Sequence, residues 1–215
     1  MGPDTTVVTL QNGMGNAEEI ARIIPADRIY VGLCFICAMR EKPGHVNHLE
    51  GGNIQFAPFI PTPEGTEKAR ELSELFANAG IKTRAFDAAE QIQWYKLVWN
   101  IPFNGLCLAL GGISIAELYQ NPENVMRARR IMEEVVQAAK ARGYALPEDL
   151  VEFHLSRTET MGAFIPSSAV DYNEGRPVEY TAIWGDPLSK ARQAGASVPE
   201  WELLDKAIRK RLNMN

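Results

Sequence analysis

A ladder of three polar side chains runs along an otherwise apolar helix near the middle of the chain. Lys96, Asn100 and Asn104 follow one another at a spacing of four residues within the segment from Gln93 to Cys107. That spacing places the three side chains along one face of a helix, and most other positions are apolar. A helix that is apolar almost all round belongs in a core, where an unpaired ammonium or amide is costly. The ladder therefore favours a polar cleft beside a packed helical core.

Two other interpretations of the ladder remain open. The three polar groups can form a satisfied structural network, or Lys96 can bury its stem and extend its ammonium group to water. Pro102 adds a further signal. It removes the hydrogen bond to the carbonyl of Val98 and is therefore expected to bend the helix beside the ladder.

The composition is that of a folded globular protein without a nucleic-acid or membrane signature. The 215 residues are 46% hydrophobic, and 22 basic against 27 acidic residues give a formal net charge of −5. Such a charge offers no general attraction to nucleic acid or to anionic membranes. No apolar run reaches the roughly 18 residues that span a bilayer, and no signal-peptide pattern opens the chain. We expect a cytoplasmic protein of one ordinary domain or two small ones.

The cysteines and histidines do not form a metal-binding pattern. Cys34 and Cys37 lie in a run typical of a buried strand, where an odd separation directs them to opposite faces. A zinc site needs further ligands, and the remaining cysteine and the three histidines supply no second pair at a suitable spacing. We expect buried structural cysteines, exposed loop histidines at His45 and His48, and no metal.

The sequence pattern changes once, near residue 88. Before that point short strand-like runs alternate with two helices, and after it helical periodicity predominates. We therefore predict an α/β portion over residues 1–88 and an all-helical portion over residues 89–215. The predicted strands cover residues 6–10, 29–38, 53–58 and 82–86, and the later helices cover 121–143, 148–161, 175–194 and 199–212.

Capping residues define the two helices of the α/β portion. Asn16 with Glu19 fits a cap at the start of the first helix. Thr62 followed by Pro63 fits the start of the second helix, which Gly80 ends. The expected inward face of the second helix comprises Ala69, Leu72, Leu75, Phe76 and Ala79.

A glycine-rich turn follows the first predicted strand. The segment from Gly13 to Glu18 superficially matches a Gly-x-Gly-x-x-Gly fingerprint, but Glu18 stands at the third glycine position. No acidic residue ends a second strand about 20 positions later, so we do not interpret the turn as a phosphate loop. A tight turn at the carboxyl end of a strand still lies where α/β sheets bind ligands, and Asn12 is expected to point into a site.

Four short segments carry a family resemblance when they are taken in chain order. They are Gln11 to Gly15, the ladder of Lys96, Asn100 and Asn104, Pro166 to Asp171, and Gly175 to Glu179. Together they are similar to the ketopantoate reductase (2-dehydropantoate 2-reductase) family, over essentially all of the chain. The resemblance implies NADPH-dependent reduction of 2-dehydropantoate to pantoate in pantothenate biosynthesis. It also implies an N-terminal Rossmann domain and a C-terminal helical domain.

The resemblance assigns roles on the substrate side. Lys96 matches the family's catalytic general acid, and Asn100 and Asn104 match substrate-binding amides. Ser167 matches the serine that holds the substrate, because it lies 12 positions before the glutamate of the fourth segment. These roles suit the chemistry, since hydride addition to a ketone leaves negative charge on oxygen, which an ammonium group stabilises and protonates. Asparagine amides donate or accept, as a substrate with hydroxyl, ketone and carboxylate groups requires.

The resemblance assigns fewer roles on the cofactor side. Glu179 matches a residue that contacts NADPH, Asn12 one beside the nicotinamide, and Ala38 a further cofactor contact. Without the resemblance, Glu179 is typical of an exposed carboxylate at the start of a helix. A further substrate asparagine of the family falls near residues 112–115, where this chain has none.

The first residues of the chain correspond to a late strand of the family's Rossmann domain. The resemblance therefore implies that residues 1–88 hold only the second half of that domain. The first half and its phosphate loop would normally bind the pyrophosphate and the 2′-phosphate. We accordingly expect weak NADPH binding and little reductase activity from the chain. We also expect a homodimer, formed either at the exposed sheet edge or through the helical portion.

Two functions of different classes follow from these observations. The first is an NADPH-dependent oxidoreductase acting on a small 2-keto acid. The second is a non-catalytic helical dimerisation or ligand-binding module that has kept the substrate pocket.

Overall fold

The boundary between two units of the chain falls inside a helix. The computed structural model describes residue 2 and residues 5–214, with the backbone alone at positions 39, 40, 49 and 50. The chain divides into residues 1–93 and residues 94–215. The change in sequence pattern placed the boundary at residue 88, whereas the structure places it at residue 93.

The first unit contains a mixed four-stranded sheet. Its strands lie in the order β1, β2, β3, β4, with parallel outer pairs and an antiparallel central pair. This arrangement confirms the α/β character predicted for the first part of the chain. The strands are β1 (Val7–Thr9), β2 (Ile29–Lys42), β3 (His45–Pro58) and β4 (Thr83–Ala85).

The two central strands are longer than the sequence indicated. Each has 14 residues, and the outer part of the pair forms a two-stranded ribbon with register shifts. His45 and His48 are exposed as expected, but they lie in β3 and not in a loop. Cys34 and Cys37 form no disulfide and are only half-buried, so the expectation of full burial was wrong. They lie close to the point where the strands leave the covered part of the sheet.

Helices cover both faces of the sheet. The helices of this unit are α1 (Asn16–Ala21), a short 3₁₀ turn (Ala26–Arg28) and α2 (Pro63–Asn78). Alternation along β2 explains the two layers, because Ile29 and Val31 pack with Ala17 of α1 whereas Tyr30 packs with Ala69 of α2.

The helix caps were predicted with mixed success. The Oγ1 atom of Thr62 accepts a hydrogen bond from the Gly65 N–H at 3.0 Å, which confirms the start of α2. The predicted cap at Asn16 is wrong, because the left-handed Gly15 (φ 87°) takes the cap position and Asn16 instead donates to the Asn12 carbonyl at 2.9 Å. Leu75, expected to face inward, is 64% exposed. Successive residues of an α-helix are about 100° apart around its axis, so Leu75 points away from the side on which Phe76 packs against the core.

The second unit is helical, as predicted. Beginning with the helix that crosses the boundary, it comprises α3 (Ala89–Ala109), α4 (Ile115–Tyr119), α5 (Pro122–Ala141), α6 (Leu150–Glu159), α7 (Ser167–Asn173), a π-helical turn (Thr181–Gly185) that continues into α8 (Asp186–Gln193), and α9 (Pro199–Arg211). Two short helices, α4 and α7, were not predicted. No helix in the described part of the chain combines the length and apolarity needed to cross a membrane.

Helix α3 lies at the centre of this unit. Its residues from Asn100 to Leu108 are all buried, and Pro102 stands inside the continuous helix. Gly105 allows close packing, because a Cβ atom there would lie 2.7 Å from the Leu204 side chain of α9 and 2.9 Å from the Trp184 indole nitrogen. The helix that carries the polar ladder is therefore held tightly by its neighbours.

Candidate functional site

The polar ladder lies on α3 and is largely withdrawn from water. Lys96 is half-buried, Asn100 is 5% exposed and Asn104 is 2% exposed. Four residues of α-helix rise about 6 Å, so the three side chains follow one another along α3 at that interval. The structure therefore places a cation and two amides in a row on a buried helix.

Aromatic side chains fix the rotation of α3 about its axis. The indole N–H of Trp99 donates to the Thr158 hydroxyl of α6 at 2.8 Å, and Trp94 packs edge-on against Trp201 of α9 with ring centroids 6.5 Å apart. The indole N–H of Trp184 donates to the Ile101 carbonyl at 3.0 Å, one residue past Asn100. These contacts determine the direction in which the ladder points.

Asn104 holds the start of α7. Its Oδ1 atom accepts a hydrogen bond from the backbone N–H of Ser168 at 3.0 Å and a longer one from the Ser167 hydroxyl at 3.4 Å. Because α7 has no side-chain cap of its own, Asn104 supplies the acceptor from another helix. The Nδ2 group of Asn104 thus remains available as a donor beside the exposed Ser167.

Asn100 differs from Asn104 in having no such partner. Within the part of the chain that the structure describes, no hydrogen bond to its amide is present. The amide atoms of Asn100 are not among the polar atoms that are sealed from water without a partner, so this amide still opens towards solvent. Asn100 is therefore the ladder residue whose geometry most directly indicates contact with a ligand.

Glu179 is coupled electrostatically to the ladder. Partial burial raises the pKa of the Glu179 carboxyl and the carboxylate of Asp171 raises it further, whereas the ammonium group of Lys96 lowers it. The side chain still reaches solvent. Glu179 is thus exposed, as the sequence alone indicated, and its carboxyl also interacts electrostatically with Lys96.

The segment before Glu179 is tied to α7. Arg176 binds the Asp171 carboxylate through Nε at 2.9 Å and Nη2 at 2.8 Å, and it also contacts Glu174. At the C-terminal end of α7, opposite the end that Asn104 binds, the Asn173 amide donates to the Gly112 carbonyl at 2.8 Å. That turn is where the family's further asparagine would fall. Helix α7 and its serine are consequently held at both ends.

Asn12 and Ala38, the candidate cofactor contacts, lie in the first unit. Asn12 is half-buried in the turn after β1, where the Gln93 side chain donates to the Gly13 carbonyl at 3.0 Å. Ala38 is exposed on the outer part of β2, opposite His48 of β3. Among the described residues, no three histidine, cysteine, aspartate or glutamate side chains group as a possible metal site.

Sequence reasoning missed a group of residues behind Glu179. The Tyr180 hydroxyl donates to Asp205 at 2.5 Å, and Arg209 donates to the same hydroxyl at 3.3 Å. Tyr180 also stacks on Trp184, with ring centroids 6.4 Å apart. Asp205 and Arg209 lie on α9, 25 and 29 residues further along the chain than Tyr180. No local pattern could therefore have identified these contacts.

Two family descriptions match the chain. "Ketopantoate reductase PanE/ApbA C terminal" matches residues 88–211, and "Ketopantoate reductase PanE/ApbA" matches residues 1–61. The first of these alone covers more than half of the chain.

Individual proteins show the same similarity. A 2-dehydropantoate 2-reductase of Nostoc sp. is 36% identical over 200 residues, which cover 92% of this chain and 62% of that protein. The crystal structure of 2-dehydropantoate 2-reductase from Geobacter metallireducens superposes with a TM-score of 0.89 at 37% identity, over 95% of this chain and 68% of that one. A complex of D-mandelate dehydrogenase with NADH gives a TM-score of 0.85 at 25% identity, over 100% and 72%. The chain thus spans about three-fifths of the length of its Nostoc relative.

Proposed function

The chain belongs to the ketopantoate reductase family, and we propose that it serves the NADPH-dependent reduction of 2-dehydropantoate to pantoate. The observation that carries this proposal is the buried row of Lys96, Asn100 and Asn104, in which one amide has no protein partner. A 2-keto acid presents a ketone oxygen and a carboxylate, and such groups accept hydrogen bonds from an ammonium group and from amides.

Lys96 is the proposed proton donor. When hydride reaches the ketone carbon, charge develops on the oxygen, and an ammonium group beside that oxygen stabilises the charge and then transfers a proton. The Glu179 carboxyl interacts electrostatically with this ammonium group, which lowers the pKa of Glu179. The reaction thus requires the cation to be held within the row and protected from bulk water.

Asn100, Asn104 and Ser167 are the proposed substrate contacts. Asn100 offers an unpartnered amide, whereas Asn104 offers only its Nδ2 group because its oxygen is bound to α7. Ser167 is exposed beside Asn104 and adds a neutral hydroxyl. Since α7 is held at both ends, these donors are fixed before a substrate arrives, which lowers the entropic cost of binding.

Asn12, Ala38 and Glu179 are the proposed cofactor contacts. Bound NADPH would supply the hydride. The polar groups of Asn12 and Glu179 suit the amide and hydroxyl groups of a nicotinamide nucleotide. None of the three residues is a cation that would select a 2′-phosphate, and a relative at 25% identity is described in complex with NADH. Both NADPH and NADH therefore belong in the test.

Substitution of Lys96 tests the proposal. We expect Lys96→Ala to lower kcat for 2-dehydropantoate about 100-fold or more, the range for loss of a general acid. Lys140→Ala, at an exposed position near the end of α5, is the matched control and should leave kcat unchanged. Because we expect weak NADPH binding and little reductase activity from this chain, turnover is followed by oxidation of NADPH or NADH at high concentrations of the purified protein and the cofactor. Undiminished turnover by Lys96→Ala would refute the role of Lys96.

A ligand-binding module without turnover is the second candidate. It is favoured by one observation: the ladder, Ser167 and Glu179 all lie within residues 94–215. The tryptophan fluorescence of such a module would change when pantoate or 2-dehydropantoate binds. It would show no oxidation of either nicotinamide cofactor.

We also propose a homodimer located in the cytoplasm. The sheet has β1 at one edge, and Leu10 beside it is 47% exposed, which supports self-association through a covered edge. The three cysteines form no disulfide in the structure, which supports a reducing compartment. Sedimentation at micromolar concentration tests the dimer, and a clean monomer would exclude it.

A further inference from the structure

We propose that Tyr180 and Asp205 form a positioning pair that fixes the backbone segment carrying Glu179. The inference rests on the proposed function, because it concerns the same site. Neither residue is expected to touch substrate. They act on the site through the backbone that joins Tyr180 to Glu179.

The pair is a short, shielded hydrogen bond. Tyr180 donates its hydroxyl hydrogen to Asp205 at 2.5 Å, and Asp205 is only 8% exposed. Hydrogen bonds to an ionised acceptor are shorter and about twice as strong as neutral ones. Arg209 donates to the same hydroxyl at 3.3 Å and lies over the tyrosine ring, 5.7 Å from its centroid. The tyrosine is thereby anchored to α9 from two sides.

The anchor is placed where the backbone is irregular. Tyr180 directly precedes the π-helical turn Thr181–Gly185, and such turns are rare and frequently occur at functional sites. An open cleft of about 520 Å³ borders Pro177, Val178 and Thr181, so the segment lacks packing on that side. Arg176 ties the start of the segment to α7, and the bonds of Tyr180 tie its end to α9.

The same tyrosine is linked to the ladder helix. Its ring stacks on Trp184 at an interplanar angle of 28°, and Trp184 donates to the Ile101 carbonyl of α3 at 3.0 Å. A continuous path of contacts thus joins α9, the residue after Glu179, and the backbone between Asn100 and Asn104. We infer that the path fixes the backbone of Glu179 relative to the helix that carries the ladder.

Loss of the anchor has a defined electrostatic consequence. The pKa of Glu179 is raised mainly because the carboxyl is partly buried, with Asp171 adding to the effect and Lys96 opposing it. A loosened segment would let the carboxyl reach water or approach the ammonium group. Both movements favour the carboxylate, and both would lower the pKa of Glu179.

Tyr180→Phe is the decisive variant, because it removes one hydroxyl and keeps the stacked ring and every charge. We expect the pKa of Glu179, measured by carbon-13 NMR titration of its carboxyl, to fall towards the ordinary carboxyl range. In the enzyme assay we expect kcat to fall about tenfold with KM changed less than about twofold, as misplacement of a group near the reacting atoms produces.

Tyr119→Phe is the matched control. Tyr119 also stacks on an aromatic ring, that of Phe103, and donates to the Leu155 carbonyl at 3.1 Å. Among the described residues it forms no hydrogen bond or ring contact with the segment around Glu179. The control should lose comparable stability and leave the pKa of Glu179 and kcat unchanged. Asp205→Asn keeps an acceptor oxygen, so it should shift the pKa of Glu179 less than Tyr180→Phe does.

The two readouts separate this inference from the proposed function. If the wild-type protein shows no reductase activity, the proposed function fails, and the NMR titration still decides the positioning role. If Tyr180→Phe leaves the Glu179 titration where the wild type and Tyr119→Phe have it, the pair does not position the glutamate and the inference is overturned. Should Tyr180→Phe not fold, an unshifted titration in Asp205→Asn together with full activity in Asp205→Ala overturns it.

Discussion

Asn100 and Asn104 offer a matched pair of substitutions that separates structure from ligand binding. Both amides are nearly buried and lie one turn apart on α3, but only Asn104 holds another helix. Replacement of each by leucine introduces the same side chain at both positions. We expect Asn104→Leu to destabilise the helical unit clearly more than Asn100→Leu does.

The expected loss in the free energy of unfolding follows from the hydrogen bond that Asn104→Leu removes. Asn104→Leu leaves the backbone N–H of Ser168, a residue only 2% exposed, without an acceptor. A buried unsatisfied donor costs about 1–3 kcal/mol, and this range already includes the lost cap of α7. Asn100→Leu leaves no hydrogen-bond partner unsatisfied among the residues that the structure describes, and it removes a buried amide. We therefore expect a difference of about 2 kcal/mol in the free energy of unfolding between the two variants.

Tryptophan fluorescence is a selective assay for this difference. The four tryptophans, at positions 94, 99, 184 and 201, all lie in the helical unit. Urea unfolding followed by their emission therefore reports on the unit that contains the ladder, and the midpoint multiplied by the slope gives the free energy. Pantoate titration in the same cuvette should show loss of binding in Asn100→Leu. Equal unfolding free energies for the two variants would refute the capping role of Asn104.

Two further changes test the packing and the pH response of the helical unit. Gly105→Ala should lower the free energy of unfolding by about 1–3 kcal/mol through overpacking against Leu204 and Trp184, although alanine is the better helix former; a gain in stability would contradict the close approach. His154 is buried, and burial lowers its pKa to about 4 from 6.5. As the pH decreases, His154 therefore takes up its proton first in the unfolded state. The contribution of His154 to the free energy of unfolding should be complete above about pH 6.5 and should fall as the pH decreases towards 4. Urea midpoints across this range should show a slope that His154→Leu flattens, and an unchanged slope would exclude His154 as its source.

The sequence was informative where one helix or turn decides the outcome. The ladder spacing located α3 correctly, and Thr62 with Pro63 located the start of α2, because these signals are local to a single helix. The cap at Asn16 failed because the preceding glycine adopts a left-handed conformation and moves the cap by one residue. The ends of β2 and β3 were also missed, since the ribbon is stabilised by pairing between strands and has no buried face to mark it.

The contacts that organise the candidate site could not be read from the sequence. Asn104 caps α7 across 64 residues of chain, and Tyr180 meets Asp205 across 25. Such pairs depend on how helices pack, and the residue types involved are common at the protein surface. The proximity of Glu179 to Lys96 was likewise not implied by spacing. The resemblance assigned separate roles to Lys96 and Glu179, and only the structure shows that the two groups interact electrostatically.

The β2–β3 ribbon implies that the backbone hydrogen bonds of β2 open far more often at its outer end than at its inner end. At its inner end, residues 29–31 of β2 pair with β1 on one side and with β3 on the other. Beyond Phe35 the strand pairs with β3 alone, and Ile36 and Val46 are 53% and 65% exposed. A two-stranded hairpin is marginally stable in water, so its amide hydrogens should exchange with solvent by local opening. Hydrogen exchange would thus form a gradient along β2, and a protease could cleave near Gly44 while the four-stranded sheet stays folded.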